Sequence, residues 1–214
     1  MAIFYGVDFV ENRQYFTKNN DELASNPKHI YAKIKEDSFE FITDNGVFSK
    51  DFLDYATKIL LENINIEDIK GPILDVGCGY GPIGIFYAKK TPYDVVMLDV
   101  NLRALSLSKQ NLKLNNVCAE VLESNCLDAV LKRKFQTVIT NPPIHAGKEI
   151  IYKIFDQSYT VLNEFGALFV VIQHKHGAPT TIKHLEEKFH NVEIIYKKKG
   201  FFILKCIKTN WHNV

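Results

Sequence analysis

The residues best equipped for chemistry are Asn141-Pro142-Pro143-Ile144, standing right after the apolar stretch 135–140. An Asn side-chain oxygen beside a proline-locked backbone carbonyl makes a pair of fixed acceptors for the two hydrogens of an exocyclic amine. Such a clamp suits methyl transfer to nitrogen. Asn-Pro-Pro also serves simply to end a strand, because proline lacks the donor that a central strand needs. The chemical reading gains from a second group upstream, the glycine turn Asp75-Val76-Gly77-Cys78-Gly79-Tyr80-Gly81.

Gly79-x-Gly81-x-x-Gly84 matches the dinucleotide fingerprint, and Asp99 lies near the spacing of about twenty residues expected for a ribose-binding acid. On spacing alone a nicotinamide dinucleotide remains open. Glycines let the backbone turn sharply against a cofactor, the following helix presents free N–H groups, and an acid ending the second strand takes both ribose hydroxyls. Asp75 separates the readings. At the end of the first strand it would repel a pyrophosphate, yet it is well placed, directly or through water, near the ammonium of a methionine moiety. The expected cofactor is therefore cationic and lacks a pyrophosphate, which describes S-adenosylmethionine. The competing role for Asp75 is an anchor for the N-terminus of the next helix.

These motifs need a frame. At 214 residues, 46% hydrophobic and 24% charged, the chain can bury one α/β core with a short N-terminal extension and has no room for a second catalytic domain. Twenty-six Lys and Arg against 25 Asp and Glu give a formal charge of +1, so any polyanion must meet a local patch. Lys132-Arg133-Lys134 and Lys197-Lys198-Lys199 are the two cationic runs, a pattern usually found in solvated loops. Cys78, Cys118, Cys126 and Cys206 include no C-x-x-C pair, a reduced, cytoplasmic pattern. Asp8 and Glu11 among the first apolar residues argue against a signal peptide or membrane span. His174-x-His176 has no third ligand nearby in sequence, so no metal is expected.

Period-two alternation in 30–34 and 39–42 predicts an N-terminal antiparallel hairpin, and Ser49 stands as N-cap before a helical pattern through Phe52, Leu53, Ala56, Ile59 and Leu60. From Pro72 the pattern alternates. Strands are expected at 73–76, 95–98, 119–122, 135–140 and 167–172, with helices at about 81–90, 102–114, 147–162 and 179–189. Strands 192–196 and 201–206 are separated only by Lys197-Lys198-Lys199-Gly200, too short for a parallel crossover, so they must pair antiparallel. The predicted fold is α/β, a doubly wound, seven-stranded, mostly parallel sheet with the last strand antiparallel. Residues 1–48 form the arm and hairpin, and 49–214 the catalytic domain.

The glycine turn with Pro82-Ile83-Gly84, then Leu98-Asp99-Val100-Asn101 with Ala104-Leu105, then Asn141-Pro142-Pro143-Ile144-His145-Ala146-Gly147-Lys148, resemble the class I, Rossmann-like methyltransferases of the small methyltransferase domain group. Within that group they are most similar to the ribosomal-RNA guanine-N2 methyltransferases, over roughly residues 28–208. Gly46-Val47-Phe48-Ser49, Gln173 and Gly177-Ala178-Pro179-Thr180 share the likeness. The resemblance implies an S-adenosylmethionine site built from Asp75, Gly77, Cys78, Gly79, Gly81, Asp99, Val100, Asn125, Cys126 and Asn141. It implies Asn141, Pro142 and Pro143 as the catalytic motif, and Phe48, Ile144, His145 and Lys148 as substrate contacts. Two departures stand out: Ile144 replaces a usual aromatic, and Asn125 replaces an Asp that often contacts the adenine amine. Phe48, Tyr80 and Phe16 are the candidates to stack a base in its stead.

The implied reaction is direct methyl transfer to guanine N2 of small-subunit ribosomal RNA, on an unpaired or flipped nucleotide. A glutamine side chain of a protein factor or an adenine amine is the alternative acceptor, and a binding module without turnover the alternative of another class. Arg13, Lys18, Lys28, Lys33, Lys35 and Lys148 are the cations expected to meet the RNA backbone.

Overall fold

The computed structural model describes residues 15–20 and 22–209, so Arg13 lies outside the described residues. The chain opens with β1 (Lys28–Ile34) and β2 (Asp37–Thr43), followed by helix α1 (Tyr55–Asn63). The alternating part comprises β3 (Ile73–Val76), α2 (Pro82–Lys90), β4 (Val95–Asp99), α3 (Leu102–Leu114), β5 (Glu120–Glu123) and β6 (Phe135–Thr140). It continues through α4 (Lys148–Val161), β7 (Leu162–Gln173), α5 (Ala178–Phe189), β8 (Glu193–Lys198) and β9 (Phe201–Ile207).

Apolar runs such as 73–76 and 167–172 have no polar face to offer solvent, so they need cover on both sides. They lie inside a seven-stranded sheet of order β5-β4-β3-β6-β7-β9-β8. Pairing from β5 through β7 is parallel, while β9 runs antiparallel between β7 and β8. This is the expected architecture. Ile73, Met97, Ile139, Phe169 and Ile203 face one layer with Leu60, Phe86 and Leu105; Leu74, Val96, Val138, Leu168 and Leu204 face the other with Phe155 and Leu185. Both sheet faces are thus buried under helices.

The hairpin joins the first layer. Phe39 and Phe41, almost wholly buried, pack with Phe86 and Tyr80 at ring distances of 5.9 and 5.6 Å. Burial of each such ring is worth about 1.5–3 kcal/mol. Asn111 of α3 clips it down, accepting from Ile42 N–H at 2.7 Å and donating to Ile42 and Tyr80 carbonyls at 2.9 and 2.8 Å.

Two local expectations need correction. Ser49 does not cap α1: it sits at φ +54° with its hydroxyl on the Phe52 carbonyl, and the helix starts six residues later. Asp54 is the cap, its carboxylate accepting from Thr57 N–H at 2.8 Å. Strand β7 also begins at Leu162 rather than 167, because Phe135 pairs with Leu162 before a register shift.

Candidate active site

Parallel strands deliver their C-terminal ends to one edge of the sheet, and the connections there surround a cavity of about 510 Å³. Its wall runs from Val76-Gly77-Cys78-Gly79-Tyr80, through Asp99-Val100 and Ser124-Asn125-Cys126, to Asn141-Pro142-Pro143-Ile144-His145. The turns after β3, β4, β5 and β6 therefore meet in one place.

The turn after β3 is held from beneath. Gly77 and Cys78 N–H groups donate to the Leu98 carbonyl at 2.8 Å, and Ser108 Oγ donates to the Gly79 carbonyl at 2.7 Å. Gly79 has φ +57°, and a Cβ there would meet nothing within 4 Å, so its bare backbone lies open to the cavity it lines. Gly84 serves packing instead, since a Cβ would stand 2.5 Å from Met97 Cγ, where α2 crosses the sheet. Gly81, N-cap of α2 at φ +103°, lies outside the cavity wall.

Asp99 ends β4 with both carboxylate oxygens engaged, by Gly79 N–H at 2.8 Å and Asn101 N–H at 2.9 Å. Each oxygen keeps a second lone-pair site. Burial raises its pKa, against the pull of the Asn101, Gly79 and Val100 backbone donors. Asp75 is the surprise. Alternation along β3 turns Val76 to the cavity and Asp75 under α2, where it is fully buried, accepts from Gly84 N–H at 2.8 Å through Oδ2, and leaves Oδ1 without a partner. Burial, helped by the charge of Asp99, pushes its pKa up to about 8 against that backbone donor. Asp75 is thus the anchor of α2 and lies outside the cavity wall, a correction to its expected place beside an ammonium.

Across the cavity, Thr140 Oγ donates to the Val76 carbonyl at 2.8 Å and ties the ends of β3 and β6 together. Asn141 follows. Its Nδ2 donates to Asp54 Oδ2 and to Thr57 Oγ, each at 3.0 Å. A carboxylate only accepts, so it fixes which end of the amide faces it. Both N–H bonds are then spent on α1, and Oδ1, which has no donor among the described residues, remains for the cavity that Asn141 lines.

Of the other expected residues, Phe48, Ile144 and His145 line the cavity, whereas Lys148 is exposed at the start of α4 and does not. His145 stands 6.4 Å, ring to ring, from His176, whose pKa burial lowers, with Lys175 and His145 adding to the effect. Asp54, Thr57, Tyr15 and Phe201 also line the wall, unforeseen. A helix-capping acid before an amphipathic run was the available sign for Asp54, but nothing local joins it to Asn141, 87 positions away.

Among the described residues no group of three or more His, Cys, Asp or Glu side chains has the geometry to hold a metal ion, and no helix is long and apolar enough to cross a membrane. All four cysteines are free thiols.

The family model of the methyltransferase small domain matches residues 38–205. The uncharacterized protein YbxB of Bacillus subtilis is 37% identical over 199 residues, covering 92% of this chain and 99% of that protein. The ribosomal RNA small subunit methyltransferase C of Pseudoalteromonas atlantica is 35% identical, over 81% of this chain and 51% of its own length. That of Escherichia coli K12 is 30% identical, over 91% and 57%. Among solved structures, the T. thermophilus 16S rRNA N2 methyltransferase RsmC in complex with AdoMet and guanosine superposes with a TM-score of 0.78 at 26% identity, covering 87% of this chain and 52% of that one. The chain spans about half the length of these ribosomal-RNA methyltransferases.

Proposed function

The chain belongs to the small methyltransferase domain family, and on that premise we propose that it moves the methyl group of S-adenosylmethionine to an exocyclic amine, the N2 of a guanine in small-subunit ribosomal RNA. The observation that carries this reading is the Asn141 amide, whose two N–H bonds are committed to Asp54 and Thr57 so that it offers the cavity only an acceptor.

The residues fit that cofactor. Gly77 and Gly79 present bare backbone to the cavity, Asp99 keeps free lone pairs for ribose hydroxyls, and the Asn125 amide suits an adenine edge. When bound, S-adenosylmethionine supplies an already activated, electrophilic methyl carbon. The protein's task is then the nucleophile. A guanine amine shares its lone pair with the ring, and hydrogen bonds from its two hydrogens to Asn141 Oδ1 and the Pro142 carbonyl favour the pyramidal form that frees it. The same acceptors stabilise the positive charge that grows on nitrogen, more strongly in the transition state than in the ground state. Pro143 restricts Pro142 to an extended backbone, which holds that carbonyl in place. No strong general base is required.

The short segments on either side of the hairpin are the substrate side of this extension, bringing Tyr15, Phe16 and Phe48 to the cavity. These rings stand in for the aromatic that Ile144 lacks; Tyr15 and Phe48 lie 5.2 Å apart. A ribosomal substrate sets the enzyme in the cytoplasm. The deciding experiment offers labelled S-adenosylmethionine to deproteinised ribosomal RNA, assembled small subunits and protein extract in parallel, with nucleoside analysis of the product. Label in N2-methylguanosine is the expected result. Label confined to protein would move the acceptor to a glutamine amide, and no transfer to any acceptor would leave a binding module.

A further inference from the structure

Of the cations that the sequence nominates, Lys148 stands two residues from the wall residue Ala146, while the others among the described residues lie far from the cavity or are paired. Helix α2 runs nine residues from the glycine turn to Lys90, about 13 Å at 1.5 Å per residue. Lys90 pairs with Asp37 at 2.6 Å, and Lys35 Nζ donates to the Ile64 carbonyl at the far end of α1, so the hairpin tip with Lys33 and Lys35 lies at the opposite edge of the sheet from the cavity. Lys18 and Lys28 are neutralised locally by Glu123 and Asp51. The run Lys132-Arg133-Lys134 precedes β6, again at the far edge, with Arg133 on Glu120 at 2.8 Å.

The second cationic run lies at the cavity edge. Because β9 is antiparallel to β7, Phe201 pairs with Gln173, and His174 N–H donates to the Gly200 carbonyl at 2.7 Å. The end of β8 with its turn, Lys197-Lys198-Lys199-Gly200, therefore abuts the turn His174-Lys175-His176, and Gln173, His176 and Phe201 reach into the cavity wall. Lys175, Lys197, Lys198 and Lys199 are exposed, and among the described residues none forms an ion pair. Lys197 Nζ lies 5.2 Å over the Phe202 ring, and the others have no ion-pair partner among the described residues, so an anion laid across the two turns would meet several cations at once. Beside them, Tyr55 is 46% exposed and meets Phe201 edge to face at 5.3 Å. Lysines tracking a backbone next to aromatic faces are how proteins hold single-stranded nucleic acid.

We propose that these two turns, with Tyr55 and Phe201, form the strip on which the unpaired RNA strand flanking the target nucleotide lies, its phosphates on the lysines and a base on the rings. This rests on the RNA reading above. Charge selects the partner: the strip offers four cations and no carboxylate of its own, whereas a protein segment around a glutamine has no standing reason to be a polyanion.

The test compares Lys175→Glu/Lys197→Glu/Lys198→Glu/Lys199→Glu with Lys33→Glu/Lys35→Glu. Binding of a fluorescent oligouridylate and methylation of deproteinised small-subunit ribosomal RNA are measured across a salt series, with S-adenosylmethionine affinity and melting temperature reporting the fold. The fourfold reversal should weaken oligonucleotide binding at least tenfold and flatten the log–log salt dependence by roughly two to three, at about 0.7 per single-strand phosphate lost. The hairpin reversal should stay within about twofold. A folded fourfold variant with unchanged RNA affinity and salt slope overturns the strip while wild-type methylation of RNA still stands, and so does an equal loss from the hairpin variant. A wild-type protein that methylates only the protein extract removes the RNA reading itself, and the strip with it.

Discussion

The two walls of the cleft are built on different scales of sequence separation. On the glycine-turn side the separations are short: Gly77 to Gly79 and Ser124 to Cys126 each lie in one turn, and the bonds that join turns, Gly79 to Asp99 and Ser108 to Gly79, cross only 20 and 29 positions. On the Asn141 side, the decisive contacts cross 84 and 87 positions, from β6 to the first turn of α1, and a ring comes from Phe201 on a strand inserted late in the sheet. A wall made of turns is set by local backbone chemistry. One made of tertiary contacts depends on how layers pack, and the clamp's orientation depends on a helix cap.

The largest expected effect falls on the second wall. Asn141→Ala removes one of the two acceptors for the amine and should lower turnover by about 100- to 1000-fold, roughly 2.7–4 kcal/mol, while sparing cofactor affinity. Single-turnover kinetics with calorimetry separate the two quantities, and near-normal methylation would reduce Asn-Pro-Pro to a strand-ending turn. On the first wall the split should reverse. Asp99→Ala deletes charge-assisted contacts to ribose and the acceptor for Gly79 N–H, so S-adenosylmethionine affinity should drop at least tenfold. Unchanged affinity, or tight binding of a nicotinamide dinucleotide, would contradict the cofactor assignment.

Smaller, and aimed at the long-range character of the second wall, is the effect of Asp54. Asp54→Ala frees the Asn141 amide to turn over and should lower turnover about tenfold, together with a cap loss of about 1 kcal/mol. Asp54→Asn keeps an oxygen that can cap α1 and accept from Asn141, so it should restore the melting temperature and most of the turnover. If both variants lose stability and neither loses turnover, the cap is all that Asp54 provides.

The contrast explains what the sequence disclosed. Periodicity located the strands and the five helices, α1 apart from its start, and spacing marked the glycine turn and Asp99, because each signal lies within one element or turn. Asp54 and Thr57 escaped because nothing within α1 marks them as partners of a strand end far along the chain. Ser49 attracted the cap because serine is a good N-cap in general; only the backbone shows it at φ +54°, where it cannot begin a helix. Lys33 and Lys35 attracted the RNA because they are cationic, and only topology shows which edge of the sheet they occupy. Asp75 illustrates the limit most sharply: its spacing beside the glycine turn is right for a ligand contact, but strand alternation turns it away from the cavity.

That displacement of Asp75 gives the smallest effect on turnover and appears in stability instead. Burial pushes its pKa up to about 8, against an ordinary value near 3.9 in the unfolded chain. Between those values the folded protein holds a proton that the unfolded chain has released. The contribution to stability is therefore full below about pH 4, declines as pH rises, and is gone above about pH 8. Asn mimics the protonated acid in shape, and its oxygen can still accept from Gly84 N–H, but it does not titrate. Melting temperatures of wild type and Asp75→Asn without cofactor should lie closest at low pH and diverge steadily toward pH 8.5, the variant being the more stable. S-adenosylmethionine affinity should shift far less than for Asp99→Ala, since only Asp99 lies in the cavity wall. Parallel melting curves across that range would show Asp75 ionised in the folded protein, and a large loss of affinity would return it to the ligand.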